Sequence, residues 1–336
     1  MVRLLLPSPS CQLSLLSFRR LLTAQSARAL PSLWGLCVAE PARPVPGKMM
    51  TTRASDATTG TPGGAENNNY FFQTSEHAAL YAAYRPRPPA ALIERIATCC
   101  TQRDALLDVG CGSGQSTEPM APLFQKVTGI DLSKAQIEQA EKNRVAAGLK
   151  NIEYRVGSAY PLPFEPESFD AITGSQCVHW FDLDQFYPEA LRVLRPGGIL
   201  AMYGYCLPQP KKNLSAVDQQ ADQRIVKFYK DEMAPFWEVD RTCIDERYAP
   251  LPRPREGFSL VEHNQSIVDH FPSSLNTYMA YLSTWSCYRK CRQMHPNLPD
   301  PLIQLRQDLA KIYGFGEGDG PLDVETTFFL LMYRKT

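Results

Sequence analysis

From about residue 70 onward, short apolar runs alternate with longer stretches of mixed polarity at helical spacing. The apolar runs at 105–110, 126–131, 152–156, 169–175 and 198–205 predict strands. The intervening stretches predict helices: Phe71 to Ala83 with Ser75 as N-cap, about 88–99 with Leu92, Ile96 and Ala97 on one side, about 115–123, 133–147 between Ser133 and Gly148, and about 183–193. Alternating strands and helices predict an α/β fold, a doubly wound and mostly parallel sheet covered on both faces. After Cys206 the rhythm changes. A helix is expected over about 215–233, then an irregular Pro-rich stretch, a strand over 258–268, helices near 273–283 and 299–313, and a last apolar strand over 324–334.

Composition narrows the field. With 336 residues and 44% hydrophobic positions the chain can bury a full core. Net charge is zero and no basic tract appears, which argues against a nucleic-acid partner. No uninterrupted apolar stretch reaches the ~18 residues of a membrane span. Ten cysteines lie without metal-ligand spacing, so no metal is expected and reduced thiols point to the cytoplasm. Residues 1–39 carry Arg3, Arg19, Arg20 and Arg28 and no acid before Glu40, the composition of a mitochondrial transit peptide or of an extension with no targeting role. The expected organisation is a leader and linker over 1–69, a cofactor-binding core over 70–206, and a helical cap with the last two strands over 207–336. Lys211-Lys212 reads as a solvated charge pair. Oligomeric state is not legible.

The densest chemistry is Asp108-Val109-Gly110-Cys111-Gly112-Ser113-Gly114, a strand running into a turn with glycine at every second position, followed one strand later by Asp131. Bare backbone admits a ligand closely, and a carboxylate at the next strand tip is placed to accept from ribose hydroxyls. Together they predict a nucleoside pocket. The dinucleotide fingerprint requires a third glycine where this chain has Gln115.

The D-x-G-x-G-x-G pattern resembles motif I of the class I S-adenosylmethionine-dependent methyltransferases. Further segments follow in matching order: Val156 to Phe164, Phe169 to Gln176, and Leu191 to Ala201. The resemblance implies S-adenosyl-L-methionine as cofactor and a seven-stranded sheet whose last strand is antiparallel beside the fifth. It implies cofactor contacts from Tyr84, Arg85, Asp108, Gly110, Gly112, Gly114, Asp131, Leu132, Ser158, Ala159 and Ser175. Many members carry an acid at Ser158. Within the class the chain is similar to the trans-aconitate methyltransferase-like enzymes, through Tyr81-x-x-Tyr84-Arg85-Pro86, His179-Trp180-Phe181-Asp182 and Leu282 to Tyr288. That similarity implies a small-molecule acceptor, a lid formed by Tyr81, Tyr84 and Arg85, and an acceptor pocket lined by Tyr81, His179, Trp180, Trp285 and Arg289.

Two readings stand for His179, a general base or a loop histidine held by backbone, and two for Trp285, pocket wall or core. A carboxylate acceptor is already ionised near neutral pH and needs a cationic clamp rather than a base; Arg85, Arg87 and Arg289 are the candidates. The expected product is then a methyl ester. A non-catalytic cofactor-binding protein and a nicotinamide-dependent oxidoreductase remain as alternatives.

Overall fold

The computed structural model describes residues 74–211 and 215–336. The leader, the linker, the expected helix start at Phe71 and Lys212 lie outside them. The described chain opens with helices α1 (Ser75–Tyr84) and α2 (Ala90–Cys99). Alternation follows through β1 (Ala105–Val109), β2 (Lys126–Asp131), α3 (Lys134–Ala146), β3 (Ile152–Val156), β4 (Phe169–Ser175), α4 (Leu183–Val193) and β5 (Leu194–Tyr205). Beyond lie β6 (Gln209–Lys211), α5 (Ser215–Lys227), α6 (Thr242–Asp245), β7 (Phe258–Ser274), α7 (Leu275–Ser283), α8 (Ser286–Met294), α9 (Pro301–Tyr313) and β8 (Pro321–Lys335).

The strands form a single sheet. β3, β2, β1, β4 and β5 lie in that order and run parallel. β8 is antiparallel beside β5, Ile199 facing Arg334 and Tyr205 facing Phe328, and β7 covers its other edge from Phe258 to Ser274. Seven of the strands match the expected sheet. An eighth, the three-residue β6, pairs with Asp323 to Glu325 further along the edge of β8 that β5 occupies.

Neighbouring residues on the central strands enter opposite cores, as they must when both faces of a sheet are buried. Leu106, Ala171, Ile199, Ala201, Phe328 and Leu330 pack with α2 on one face. Leu107, Ile172, Leu200, Met202, Phe329 and Leu331 pack with α4 on the other. A third apolar cluster ties α5, α7 and α9 to the start of β8. Among the described residues no helix is long and apolar enough to cross a membrane.

Several expectations are corrected. Residues 115–123 form turns around one 3₁₀ turn (Glu118–Met120), not a helix. Pro119 and Pro122 lack donors, and the Ser116 and Thr117 hydroxyls are drawn to Asp108. The first helix is capped by Thr74, whose side chain accepts from His77 N–H, so Ser75 is its first residue. The 215–233 helix turns into a π turn at Phe228. β7 runs six residues past Val268, and α8 was not foreseen, although Cys287, Tyr288 and Cys291 form a narrow apolar stripe that packs on the third cluster. Lys211 is paired with Asp222 rather than solvated.

One carboxylate anchors the far end of the sheet. Asp170 is 5% exposed; Oδ2 accepts from Asp104 N–H (2.7 Å) and Ala105 N–H (2.9 Å), and Oδ1 from Arg195 (2.7 Å). It joins the starts of β1, β4 and β5. Removing it strands two amides and takes from Arg195 its shortest bond, leaving that guanidinium Glu167 O and Asp104. Asp170→Ala is expected to cost about 3 kcal/mol, and Asp170→Asn less, read from urea midpoints.

Candidate functional site

Three structures meet at the carboxyl ends of β1, β2, β4 and β5: the glycine turn, the Asp131 tip and helix α1. Asp108, next to last in β1, is fully buried. Its Oδ2 accepts from Ser116 Oγ (2.8 Å) and Thr117 Oγ1 (2.6 Å), and Oδ1 from Thr173 Oγ1 (2.8 Å). Burial raises its pKa and the three hydroxyls oppose the shift. Asp108 therefore braces the turn against β4, and these bonds occupy it within the protein.

The glycines of the turn differ in what surrounds them. A Cβ on Gly110 would lie 2.9 Å from Cys177, and one on Gly114 would lie 2.4 Å from the Tyr154 hydroxyl, so both are required by packing. At Gly112 (φ +54°) the nearest atoms to that position are Gln136 Oε1 and Tyr81 Cε1, each 3.9 Å away. Gly112 is thus the least crowded of the three, separated from Tyr81 and Gln136 by a gap no wider than a methyl group.

Asp131 borders the same gap. Its Oδ2 accepts from Gly112 N–H (3.0 Å) and its Oδ1 from Ser133 N–H (2.8 Å). Burial raises its pKa against these two bonds. A carboxylate offers about four acceptor positions, so two remain for ligand hydroxyls. Gln136, in the first turn of α3, is 2% exposed, and its Oε1 has no hydrogen-bond partner among the described residues. These acceptors suit a ligand that brings hydroxyl or ammonium donors, as an adenosyl amino acid does.

Helix α1 closes the gap. Gln115, which stands where a dinucleotide turn would have glycine, donates from Nε2 to Tyr81 O (2.9 Å) and accepts from Ser113 Oγ (3.0 Å). It pins α1 to the turn. Arg85 fastens the other end. It donates from Nε to Thr284 Oγ1 (2.8 Å), from Nη1 to Tyr205 Oη (3.1 Å) and from Nη2 to Thr284 O (3.1 Å), and lies 4.7 Å over the Tyr81 ring. Burial opposes its charge, but Tyr205, Tyr81 and Tyr281 outweigh it and the pKa is raised.

Behind Arg85 a cavity opens between the sheet ends and the helices. Tyr81 and Arg85 form one wall, Gln176, His179 and Trp180 another. Gln176 (φ +55°) is held there by two bonds to the Tyr205 backbone. Tyr229, Trp237, Arg241, Tyr281 and Trp285 complete it. Trp285 is both wall and core: it is 3% exposed and its ring centroid lies 5.6 Å from those of Tyr229 and Trp237. Among the described residues no group of His, Cys, Asp and Glu converges as a metal site would.

Other expected residues lie beside this centre or take partners elsewhere. Arg87 pairs with Glu118 (2.9 Å), and Arg289 is not on the cavity wall. Tyr84 packs into the helical cluster. The Ser158 hydroxyl is spent on its own turn, donating to Tyr160 O (2.8 Å) and accepting from Tyr160 N–H (3.2 Å). Ala159 is buried beside it, Leu132 next to Asp131 is 56% exposed, and Ser175 ends β4 in contact with the Tyr203 hydroxyl. The sequence reading missed Gln136, Tyr205, Trp237 and Arg241. Trp237 and Arg241 lie in the irregular stretch before β7, where no periodicity tells which way a side chain points.

Two histidines are buried near the site. His179 sits on the cavity wall, and no partner meets its Nδ1 among the described residues. Burial first, then Arg241 and Arg85, lower its pKa to about 3. His77 bonds Thr284 O (3.2 Å), and burial lowers its pKa to about 4. Both pKa values fall below the unfolded 6.5, so their stability contribution is complete above pH 6.5 and is lost as pH falls toward 4 and 3. Each loses up to about 1.4 kcal/mol per pH unit. Between pH 6.5 and 5 the wild type is expected to lose about 3 kcal/mol more than a His77→Gln, His179→Gln double variant, measured by denaturant titration at each pH.

Comparison with known proteins agrees with this geometry. Residues 107–202 match a family described as a methyltransferase domain. A Dictyostelium discoideum protein named as a methyltransferase is 30% identical over 260 residues, spanning 76% of this chain and 92% of its own. A Saccharomyces cerevisiae protein named as an S-adenosylmethionine-dependent methyltransferase is 24% identical over 277 residues, 77% of this chain and 95% of its own. The solved structure of a protein from Anaeromyxobacter dehalogenans, described as a type II methyltransferase, aligns with a TM-score of 0.62 and 30% identity, over 75% of this chain and 98% of the other. These likenesses set aside the nicotinamide alternative, and the chain belongs to the class I S-adenosylmethionine-dependent methyltransferases.

Proposed function

We propose that this methyltransferase acts on a small organic acid and releases its methyl ester. One observation carries the reading: the cavity wall holds two guanidinium groups, Arg85 and Arg241, and no acidic side chain. Neither arginine has a carboxylate in ion-pair contact among the described residues. Partly buried cations without counterions are costly, and an anionic ligand supplies what the protein does not. The similarity to the trans-aconitate methyltransferase-like group supports the same class of acceptor.

In this reading Asp131 and Gln136 accept the ribose hydroxyls, and the bare backbone at Gly112 admits the amino-acid part. Gly110 and Gly114 shape the turn, and Tyr81 covers it. When bound, S-adenosylmethionine supplies an electrophilic methyl group. The protein's task is to align the acid with that group and keep water out. Tyr81 and Trp285 exclude water, and Arg85 holds α1 shut through Thr284 and Tyr205. His179 stays neutral near pH 7 and acts as a wall, since an ionised acid needs no base. A cytoplasmic location belongs to the same proposal, supported by the free thiols of the described cysteines.

Two measurements test this. Incubation with methyl-labelled S-adenosylmethionine and a panel of small organic acids is expected to give label that base releases as volatile methanol, the mark of an ester. Label confined to base-stable products would sink the reading. Asp131→Ala is expected to weaken S-adenosylhomocysteine binding by roughly 30-fold in titration calorimetry, the loss of charge-assisted hydrogen bonds, with its circular dichroism unchanged.

A further inference from the structure

We infer that Arg241 is the residue that grips the acceptor's carboxylate and makes this site selective for acids. The inference rests on the organic-acid reading above and assigns it to one side chain.

The two cavity arginines are not equivalent. Arg85 donates to Thr284 twice and to Tyr205 once, so all three of its nitrogens are committed within the protein. It is a strut between α1, β5 and the α7–α8 corner. Arg241 makes one such bond, Nε to Tyr229 Oη (2.9 Å). Its two terminal nitrogens carry no hydrogen bond to the described protein. Those four N–H donors are the edge that takes a carboxylate with two parallel bonds.

The guanidinium is also held in place. Its central carbon lies 4.5 Å above the Trp237 ring and 5.7 Å from the Tyr229 ring. Tyr229 Oη accepts from Arg241 and donates to Asp245 Oδ1 (2.8 Å). Asp245 thus orients the arginine through a phenol without pairing with it, and the positive charge is left for a ligand. Stacking fixes one face and the Nε bond fixes the rotation, so little side-chain entropy is lost on binding.

The rest of the wall describes the acid. Trp237, Tyr281 and Trp285 offer aromatic faces, and no acidic side chain stands opposite to repel an anion. The matching ligand has a small apolar body, flat or unsaturated, and a carboxylate at one end. Two of the carboxylate's lone-pair positions meet the guanidinium and two remain for reaction. The acid's oxygen supplies the electron pair of the new O–CH₃ bond, and the pair of the broken C–S bond stays with sulfur. Anion and sulfonium charges cancel, so no proton has to be placed.

The experiment compares wild type with Arg241→Met, which keeps the stem over Trp237, and Arg241→Lys, which keeps the charge but not the fork. Each is assayed on the best acid of the panel and on its primary amide, and S-adenosylhomocysteine affinity is measured by calorimetry. The expected result is a KM for the acid raised about 100-fold in Arg241→Met and about 10-fold in Arg241→Lys, with a smaller change in kcat. Cofactor affinity should be unchanged, and wild type should discriminate strongly against the amide. An unaltered KM in Arg241→Met overturns the assignment while leaving the organic-acid reading standing. Loss of cofactor affinity in both variants also overturns it, because Arg241 would then be supporting the fold. Absence of any methylated acid with wild type overturns the organic-acid reading and this inference together.

Discussion

The site depends on one short bridge, the Asp131 carboxylate accepting from the backbone of Gly112 on one side and of Ser133 on the other. That bridge fixes three things together: the tip of β2, the path of the glycine turn and the start of α3. Because the acceptor is buried, its bonds are stronger than the same bonds in water, and losing either would be costly. Gly112 is the donor, and with no side chain it leaves a narrow gap toward Tyr81 and Gln136. The turn is therefore held by the atom that a ligand would also approach.

Around this bridge the protein spends its polar groups on rigidity. Asp108 takes three hydroxyls, Gln115 ties α1 to the turn, and Arg85 ties α1 to β5 and the helices. Each is buried or nearly so, and each satisfies its partners within the protein. Among the groups left unsatisfied, three border the site: Gln136 Oε1 beside Gly112, and His179 Nδ1 and the end of Arg241 in the adjoining cavity. These three lie where two small molecules would meet.

The sheet was legible because its signal is repeated and local. Leu106-Leu107, Ala171-Ile172 and Phe328 to Met332 alternate between two cores, and any such strand announces itself by a continuous apolar run. The glycine turn and Asp131 were legible for the same reason, as neighbours in sequence and in space. What was not legible depends on loops. Residues 115–123 have apolar spacing that fits a helix, yet two prolines and the pull of Asp108 on Ser116 and Thr117 break it into turns. Arg289 stood beside a recognisable aromatic motif, whereas Arg241 lies in a stretch without period and reaches the cavity only because Thr242 to Asp245 fold into a short helix against Tyr229. Ser158 illustrates a subtler failure: residue type set the expectation, while the hydroxyl's nearest backbone partner decided its use.

The position of β8 bears on how the chain is made. Phe328 to Arg334 cover the open edge of β5, and the same segment is the template along which β7 lies. Ribosomal synthesis delivers β1 to β5 more than a hundred residues before the strand that seals them. Until then the nascent chain carries the bare edge of β5, an apolar ribbon of unpaired amides with the reach to pair with another chain. Chaperone engagement during that interval, rather than any weakness of the finished sheet, would set the yield of active protein.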